Sequence, residues 1–159
     1  PGGGQPAAGQ PGAPSNAASP TPSTAPSTPA SHRARTYTQA VPGGQEWTGT
    51  GITVRAGDQL TITASGEIYI GATSAGESPA GTPGCTPAAS DPAQSAQFPA
   101  PSLTCWSLIA RIGTGAPFEV GSSAQLTAAA SGELYLGING DSFTGNSGAW
   151  SATITARSR

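Results

Sequence analysis

The stretch QLTITASGEIYIG at residues 59–71 recurs as QLTAAASGELYLG at residues 125–137. In both copies apolar and polar side chains alternate, which is the period-two pattern of a half-buried β-strand. Each copy also contains an Ala-Ser-Gly triplet, and this predicts a turn between two strands, hence a β-hairpin. The duplication favours a pseudo-symmetric sandwich in which each copy contributes to one half.

The same alternation extends to both sides of the repeat, and helical periodicity is nowhere strong. Further apolar and polar residues alternate over residues 52–54, 106–112 and 150–154. Gly, Asp, Asn and Ser interrupt these runs at short intervals, as they do in chains of many short strands. The sequence therefore predicts an all-β fold, a small antiparallel β-sandwich.

Composition divides the chain in two. Residues 1–44 consist mostly of Pro, Gly, Ala, Ser and Thr, which bury too little apolar surface to offset the entropy of ordering. We expect a disordered Pro/Ser/Thr-rich linker there and a folded domain over residues 45–157.

The net charge of -2, with 9% charged residues, excludes a broad basic surface for nucleic acid. No apolar run approaches the roughly 18 residues of a membrane span, so no membrane insertion is expected.

The two cysteines, Cys85 and Cys105, lie inside the predicted domain, and His32 is the only histidine. Neither cysteine belongs to a CxxC motif, which argues against zinc, and no histidine in the domain could activate a thiol. A disulfide between them is the better interpretation in a chain of secreted character. The string Gly-Asp-Ser at residues 140–142 has no histidine base in the domain either. We therefore expect an extracellular or cell-surface protein that is not an enzyme.

The domain resembles the bacterial galactophilic lectins of the LecA type. Three stretches carry the resemblance: WTGTGITVRAGDQLTITASGEI from residue 47, CWSLIARIG from residue 105, and GELYLGINGD with GNSGAW between residues 132 and 150. The resemblance implies a jelly-roll-like sandwich that binds a glycan, a galactoside in the first instance, through a calcium ion. It places the site in the loops at residues 71–84 and 139–148.

The resemblance also implies which residues form that site. The metal ligands would be the Ile70 carbonyl, Asp141 and Asn146. The ligand-binding residues would be Asn139, Asp141, Thr144 and Asn146. Aspartate and asparagine in such a loop are equally typical of a turn with no binding role.

Two glycines occupy positions where the family supplies oxygen ligands. These are Gly140 and Gly145, and glycine has no side-chain oxygen, so calcium binding is expected to be weak or lost. Two functions remain open on the sequence alone. One is an extracellular carbohydrate-binding module, and the other is a structural or sensory extracellular domain that keeps the lectin scaffold without binding sugar.

Overall fold

Nine β-strands make up about half of the part of the chain that the computed structural model describes, residues 33–72 and 75–159. A short helix, α1, and a 3₁₀ turn at Ser95–Gln97 precede the fifth strand. In chain order the elements are β1 Ala34–Pro42, β2 Trp47–Val54, β3 Gln59–Tyr69, β4 Gly76–Glu77, α1 Pro87–Ser90, β5 Leu108–Ile112, β6 Phe118–Glu119, β7 Ser123–Thr127, β8 Gly132–Ile138 and β9 Ser147–Arg157.

The strands form two antiparallel sheets, as the alternation predicts. The first sheet has the order β1-β9-β3, and the far edge of β3 pairs with β7 near its start and with β4 at its end. The second sheet has the order β2-β8-β5-β6. The prediction of an antiparallel β-sandwich is confirmed. None of the helices in the described ranges has the length and apolarity to cross a membrane.

The core lies between the sheets and follows the alternation along each strand. In β3 the fully buried side chains are those of Leu60, Ile62 and Ile68, and in β8 they are those of Leu134, Leu136 and Ile138. Side chains at intervening positions point to the outer faces because successive Cβ atoms alternate across a strand. The same inward set includes Val41, Ile52, Val54, Leu108, Ala110, Ile112, Trp150, Ala152 and Ile154.

The domain begins at Ala34, so the predicted boundary between residues 44 and 45 is wrong. Strand β1 pairs with β9 over its whole length, from Ala34 opposite Arg157 to Pro42 opposite Ala149. The composition hid this strand because an edge strand packs only one face and needs few large apolar residues. Val41 is its only fully buried side chain. The disorder predicted for residues 1–32 concerns residues outside the described ranges.

The two repeat copies are not hairpins. In the first copy, β3 continues through Ala64, Ser65 and Gly66 in unbroken register with β9. Gly66 has a φ of 102° and lies close to the backbone of β9, so the glycine bends the strand instead of ending it. In the second copy, β7 belongs to the first sheet and β8 to the second. The repeated sequence thus makes one long strand in one place and a crossover between sheets in the other.

Candidate functional site

The loop that joins β8 to β9 begins at Asn139, whose side chain is fully buried. Its Oδ1 accepts a hydrogen bond from the Ala100 backbone N–H at 2.9 Å. Its Nδ2 donates to the carbonyls of Ala100, Leu103 and Thr104 at 2.9, 3.2 and 2.9 Å. The predicted ligand-binding side chain thus holds the 100–104 segment against the end of β8. In this position a ligand in solution cannot reach it.

Asn146 ties three chain segments together near the end of the same loop. Its Oδ1 accepts a hydrogen bond from the Gly71 backbone N–H at 3.0 Å. Its Nδ2 donates to the Gly43 and Ser142 carbonyls, both at 3.0 Å. Since Ile70 directly precedes Gly71, the structure brings two of the three predicted metal ligands to one place. The amide oxygen that would face a metal already accepts a backbone hydrogen bond.

Asp141 and Thr144 are the other two predicted site residues. Asp141 is half-buried and Thr144 is exposed. Among the described residues, nothing forms a hydrogen bond or an ion pair with the Asp141 carboxylate or the Thr144 hydroxyl. Both polar groups are therefore available to a ligand from solution, in contrast to Asn139.

A metal at this loop would have few oxygen ligands. Within residues 33–72 and 75–159 there is no group of three or more His, Cys, Asp or Glu side chains that could hold a metal ion. Calcium takes six to eight oxygens. The loop itself supplies one carboxylate, that of Asp141, and the amide of Asn146. Hydroxyl groups, backbone carbonyls and water would have to provide the rest.

Trp106 lies directly against Gly140. A Cβ built on Gly140 would be 2.7 Å from both Cε3 and Cη2 of the indole, and closer still to Cζ3. Trp106 has a φ of 59°, and it is the one non-glycine residue in the described ranges with a positive φ. Its backbone N–H donates to the Asn139 carbonyl at 2.7 Å. The indole thus fills the space that any side chain at position 140 would need.

Two phenylalanines flank the indole. The Phe98 ring is edge-on to it, with 6.4 Å between centroids, and the Phe143 ring is tilted, with 6.5 Å between centroids. Phe98 is buried, while Trp106 and Phe143 are partly exposed. The loop therefore presents apolar ring surface beside the polar groups of Asp141 and Thr144. Sequence reasoning did not include Trp106 in the site. The feature of the sequence that could have indicated the role of Trp106 is the glycine at position 140.

The disulfide predicted between Cys85 and Cys105 is present and positions this cluster. The two Cα atoms are 5.3 Å apart. The Cys105 N–H donates to the Cys85 carbonyl at 2.9 Å, and the Thr82 N–H donates to the Cys105 carbonyl at 2.9 Å. The bridge fixes Cys105, which ends a segment with little regular structure and directly precedes Trp106. It thereby holds the indole at the β8–β9 loop.

A groove of about 560 Å³ lies at the opposite end of the sandwich. It is bounded by the end of β5, by β6 and by β7, and its lining is largely apolar. Ile112 and Leu126 are among its lining residues. These belong to the strand ends remote from Asn139, so the groove is not part of the loop site.

The two antiparallel sheets define a β-sandwich domain. No protein-family model matches the chain. No curated protein matches its sequence either. Among solved structures, the chain is similar to the EclA N-terminal domain, described as a PllA-like lectin. The identity is 26% and the TM-score 0.58, over 76% of this chain and 96% of that one. The domain is thus a diverged relative of the LecA-type lectins, as the sequence resemblance predicts, and the matched structure is a lectin domain.

Proposed function

We propose that the domain is an extracellular carbohydrate-binding module whose sugar site is the β8–β9 loop with the adjoining Trp106 cluster. The observation that carries this proposal is the position of Asp141 and Thr144. Their polar groups are free of bonds to the described residues, and they belong to the same short loop as the partly exposed Phe143, which contacts the Trp106 ring. The lectin fold of the relative supports the proposal.

Such a surface suits a pyranose. A sugar ring has apolar C–H faces and a rim of hydroxyl groups, so it needs apolar surface next to hydrogen-bonding groups. Trp106 and Phe143 would cover a C–H face, while the Asp141 carboxylate and the Thr144 hydroxyl would bind hydroxyl groups. A galactoside is the first candidate because the resemblance to the LecA-type lectins points to it.

The proposed site does not depend on tightly bound calcium. The Trp106 indole closes position 140 to a side-chain ligand, and Gly145 supplies none. Asp141 is then the only carboxylate in the loop, and calcium affinity follows the number of charged ligands. We therefore expect calcium to bind weakly or not at all, with sugar contacts made directly by the protein.

The disulfide supports a location outside the cytoplasm, because such bridges persist in oxidising compartments. Cys85 and Cys105 close a segment that α1 and a 3₁₀ turn alone would hold poorly. A secreted or surface-attached module is consistent with the lectin relative.

One observation favours the second function, a structural or sensory domain without sugar binding. The amides of Asn139 and Asn146 are both bound to backbone groups of the protein. If the loop residues serve only to stabilise the loop, the lectin scaffold would persist with no sugar site. Asp141 and Thr144 distinguish the two functions, since neither stabilises the loop through a bond to the described residues.

A glycan array probed with and without a calcium chelator tests the proposal. We expect retention of a neutral glycan class, unchanged by chelator, and a loss of about tenfold in affinity for Asp141→Ala, because a charged hydrogen-bond acceptor is removed. Asp91→Ala is the control, since Asp91 is an exposed carboxylate outside the β8–β9 loop. Absence of any retained glycan would favour the structural or sensory domain. Loss of binding on chelation would refute calcium independence.

A further inference from the structure

The outer face of the second sheet has two aromatic rings that lie flat on neighbouring strands. Trp47 of β2 lies over Gly137 of β8, where an added Cβ would be 2.5 Å from Cε3 of the indole. Tyr135 of β8 lies beside Gly49 of β2, where an added Cβ would be 3.4 Å from Cε1 of the phenol and 2.8 Å from Oε2 of Glu133. The Trp47 ring therefore occupies the space that Gly137 leaves open, and the Tyr135 ring is at contact distance from the space above Gly49. Trp47 and Tyr135 are both partly exposed.

Arg111 of β5 inserts its guanidinium over both rings. Its Cζ is 4.5 Å from the centroid of the Trp47 ring and 4.9 Å from that of the Tyr135 ring. The register explains the contact with Tyr135, because Arg111 and Tyr135 are directly opposite in the β5–β8 ladder. Stacking of this kind holds the planar guanidinium in one orientation. We call Trp47, Arg111 and Tyr135 the arginine platform.

The guanidinium has no counter-ion among the described residues. No hydrogen bond or ion pair with them reaches it, and its Nε is buried without an acceptor. The carboxylate of β8, that of Glu133, makes its hydrogen bonds with groups other than the guanidinium, one of them the hydroxyl of the platform residue Tyr135. Its Oε2 accepts from the Gly51 N–H at 3.0 Å, and its Oε1 accepts from the Tyr135 hydroxyl at 3.3 Å. A cation that is held in one orientation and has unused hydrogen-bond donors can bind an external anion.

We propose that the arginine platform binds a carboxylated saccharide, such as a uronic acid residue of an acidic polysaccharide. The carboxylate would accept hydrogen bonds from the Arg111 guanidinium, and the apolar face of the sugar ring would lie against Trp47 or Tyr135. The planar fork of arginine matches a carboxylate, and aromatic rings match a pyranose face. A simple inorganic anion would use the charge but not the rings.

This site is distinct from the loop site of the proposed function. Tyr135 is four residues before Asn139 on β8, a distance of about 13 Å along an extended strand. It also faces the outer side of the sheet, while the loop lies at the end of the sandwich. The two sites require different ligands, one neutral and one anionic, so each can fail independently.

The test of the proposal is a calorimetric titration of the whole chain at low ionic strength. The two titrants are trigalacturonate and its fully methyl-esterified form. We expect the acid to bind and the neutral ester to bind about tenfold more weakly or worse, since the charged contact is lost. Added salt should weaken binding of the acid. Arg111→Gln should lower its affinity by about tenfold or more, and Arg111→Lys by less, since lysine keeps the charge but not the fork. Arg55→Gln, at an exposed arginine with no ring contact, should bind like the wild type.

Nuclear magnetic resonance titration of the wild-type protein makes the test independent of any variant that fails to fold. The Trp47 Nε1–H and Arg111 Nε–H signals should shift with trigalacturonate, and Asp141→Ala should leave this binding intact. The proposal is overturned if the acid does not bind, if acid and ester bind equally, if Arg111→Gln folds and binds normally, or if the shifts fall in the β8–β9 loop.

Discussion

The Trp106 indole lies against Gly140, the position where the resemblance to the LecA-type lectins implies an oxygen ligand for calcium. A side chain at position 140 and the ring at its present place exclude each other, since an added Cβ would be 2.7 Å or less from three ring atoms. The glycine and the tryptophan therefore form one structural unit. This contact leaves no room for a side-chain ligand at position 140 and adds aromatic surface to the loop.

Gly140→Asp, which places a carboxylate where the resemblance implies an oxygen ligand, is expected to destabilise the domain and not to create a calcium site. Forcing a side chain into a filled space costs about 1–3 kcal/mol in typical cores. Chemical denaturation with and without calcium measures both effects. Gly145→Asn is the control, because nothing lies within 4 Å of a Cβ there and asparagine tolerates its φ of 83°. A Gly140→Asp protein as stable as the wild type would contradict the described contact.

The cost of Gly140→Asp should be smaller in a Trp106→Ala background. With the indole removed, the aspartate has space, so the two substitutions are expected to be non-additive by about 0.5–3 kcal/mol. A double-mutant cycle on the free energy of unfolding gives this coupling directly. Additive effects would show that the Trp106 ring does not restrict the size of the side chain at position 140.

Asn146→Ala is expected to reduce stability by about 1–3 kcal/mol, because it leaves buried or partly buried backbone groups without their hydrogen bonds. The Asn146 amide joins Gly43, Gly71 and Ser142. Thr144→Ala, at an exposed position of the same loop, should change stability by no more than about 0.5 kcal/mol. Thermal unfolding of the two variants side by side makes the comparison. Equal melting temperatures for both would show that Asn146 is not a structural residue.

Reduction of the Cys85–Cys105 bridge should cost about 3 kcal/mol, the loop-entropy expectation for a separation of 20 residues. The Trp106 fluorescence should also change, since Cys105 precedes it directly. Calorimetric unfolding with and without a phosphine reductant measures the first effect, and the Cys85→Ala/Cys105→Ala variant repeats it without reductant. An unchanged unfolding temperature would mean that the rest of the sandwich holds the segment unaided.

Removal of residues 1–44, at the boundary that composition predicts, should leave an unstable, aggregation-prone protein. This truncation removes β1 and exposes the edge of β9, an unpaired long strand. Removal of residues 1–32 should leave stability unchanged. Size-exclusion chromatography and thermal unfolding distinguish the two proteins. A stable, monomeric protein starting at residue 45 would contradict the role of β1.

Sequence reasoning succeeded where the signal was local and failed where it depended on distant contacts. The alternation around Leu60 and Leu134 predicted buried strands because burial of one face follows from period two. The Ala-Ser-Gly triplet was ambiguous, because Gly66 can bend a strand as easily as end it. Strand β1 gave almost no signal, since Val41 is its one fully buried side chain and Tyr37 packs only partly against the core.

For the candidate site too, local features could be predicted from the sequence and contacts between distant segments could not. The resemblance predicted that Asn146 and Ile70 lie close together, and the hydrogen bond from the Gly71 N–H to Asn146 agrees with this, because loop frame and length are encoded locally. It could not reveal that Asn139 turns inward toward Ala100, or that Trp106 lies on Gly140. Both facts depend on how the 98–106 segment packs across the end of the sandwich, which no spacing in the sequence specifies.

The central claim is that the loop site functions without tightly bound calcium, and calorimetric titration of calcium into chelator-treated protein tests it most directly. Extracellular calcium modules bind at about 10⁻⁴–10⁻³ M, and a loop with one carboxylate should be at or beyond the weak end of that range. We predict a dissociation constant of about 1 mM or weaker, further weakened by Asp141→Ala. Micromolar calcium binding would contradict the account, and its survival in Asp141→Ala would place the metal elsewhere in the chain.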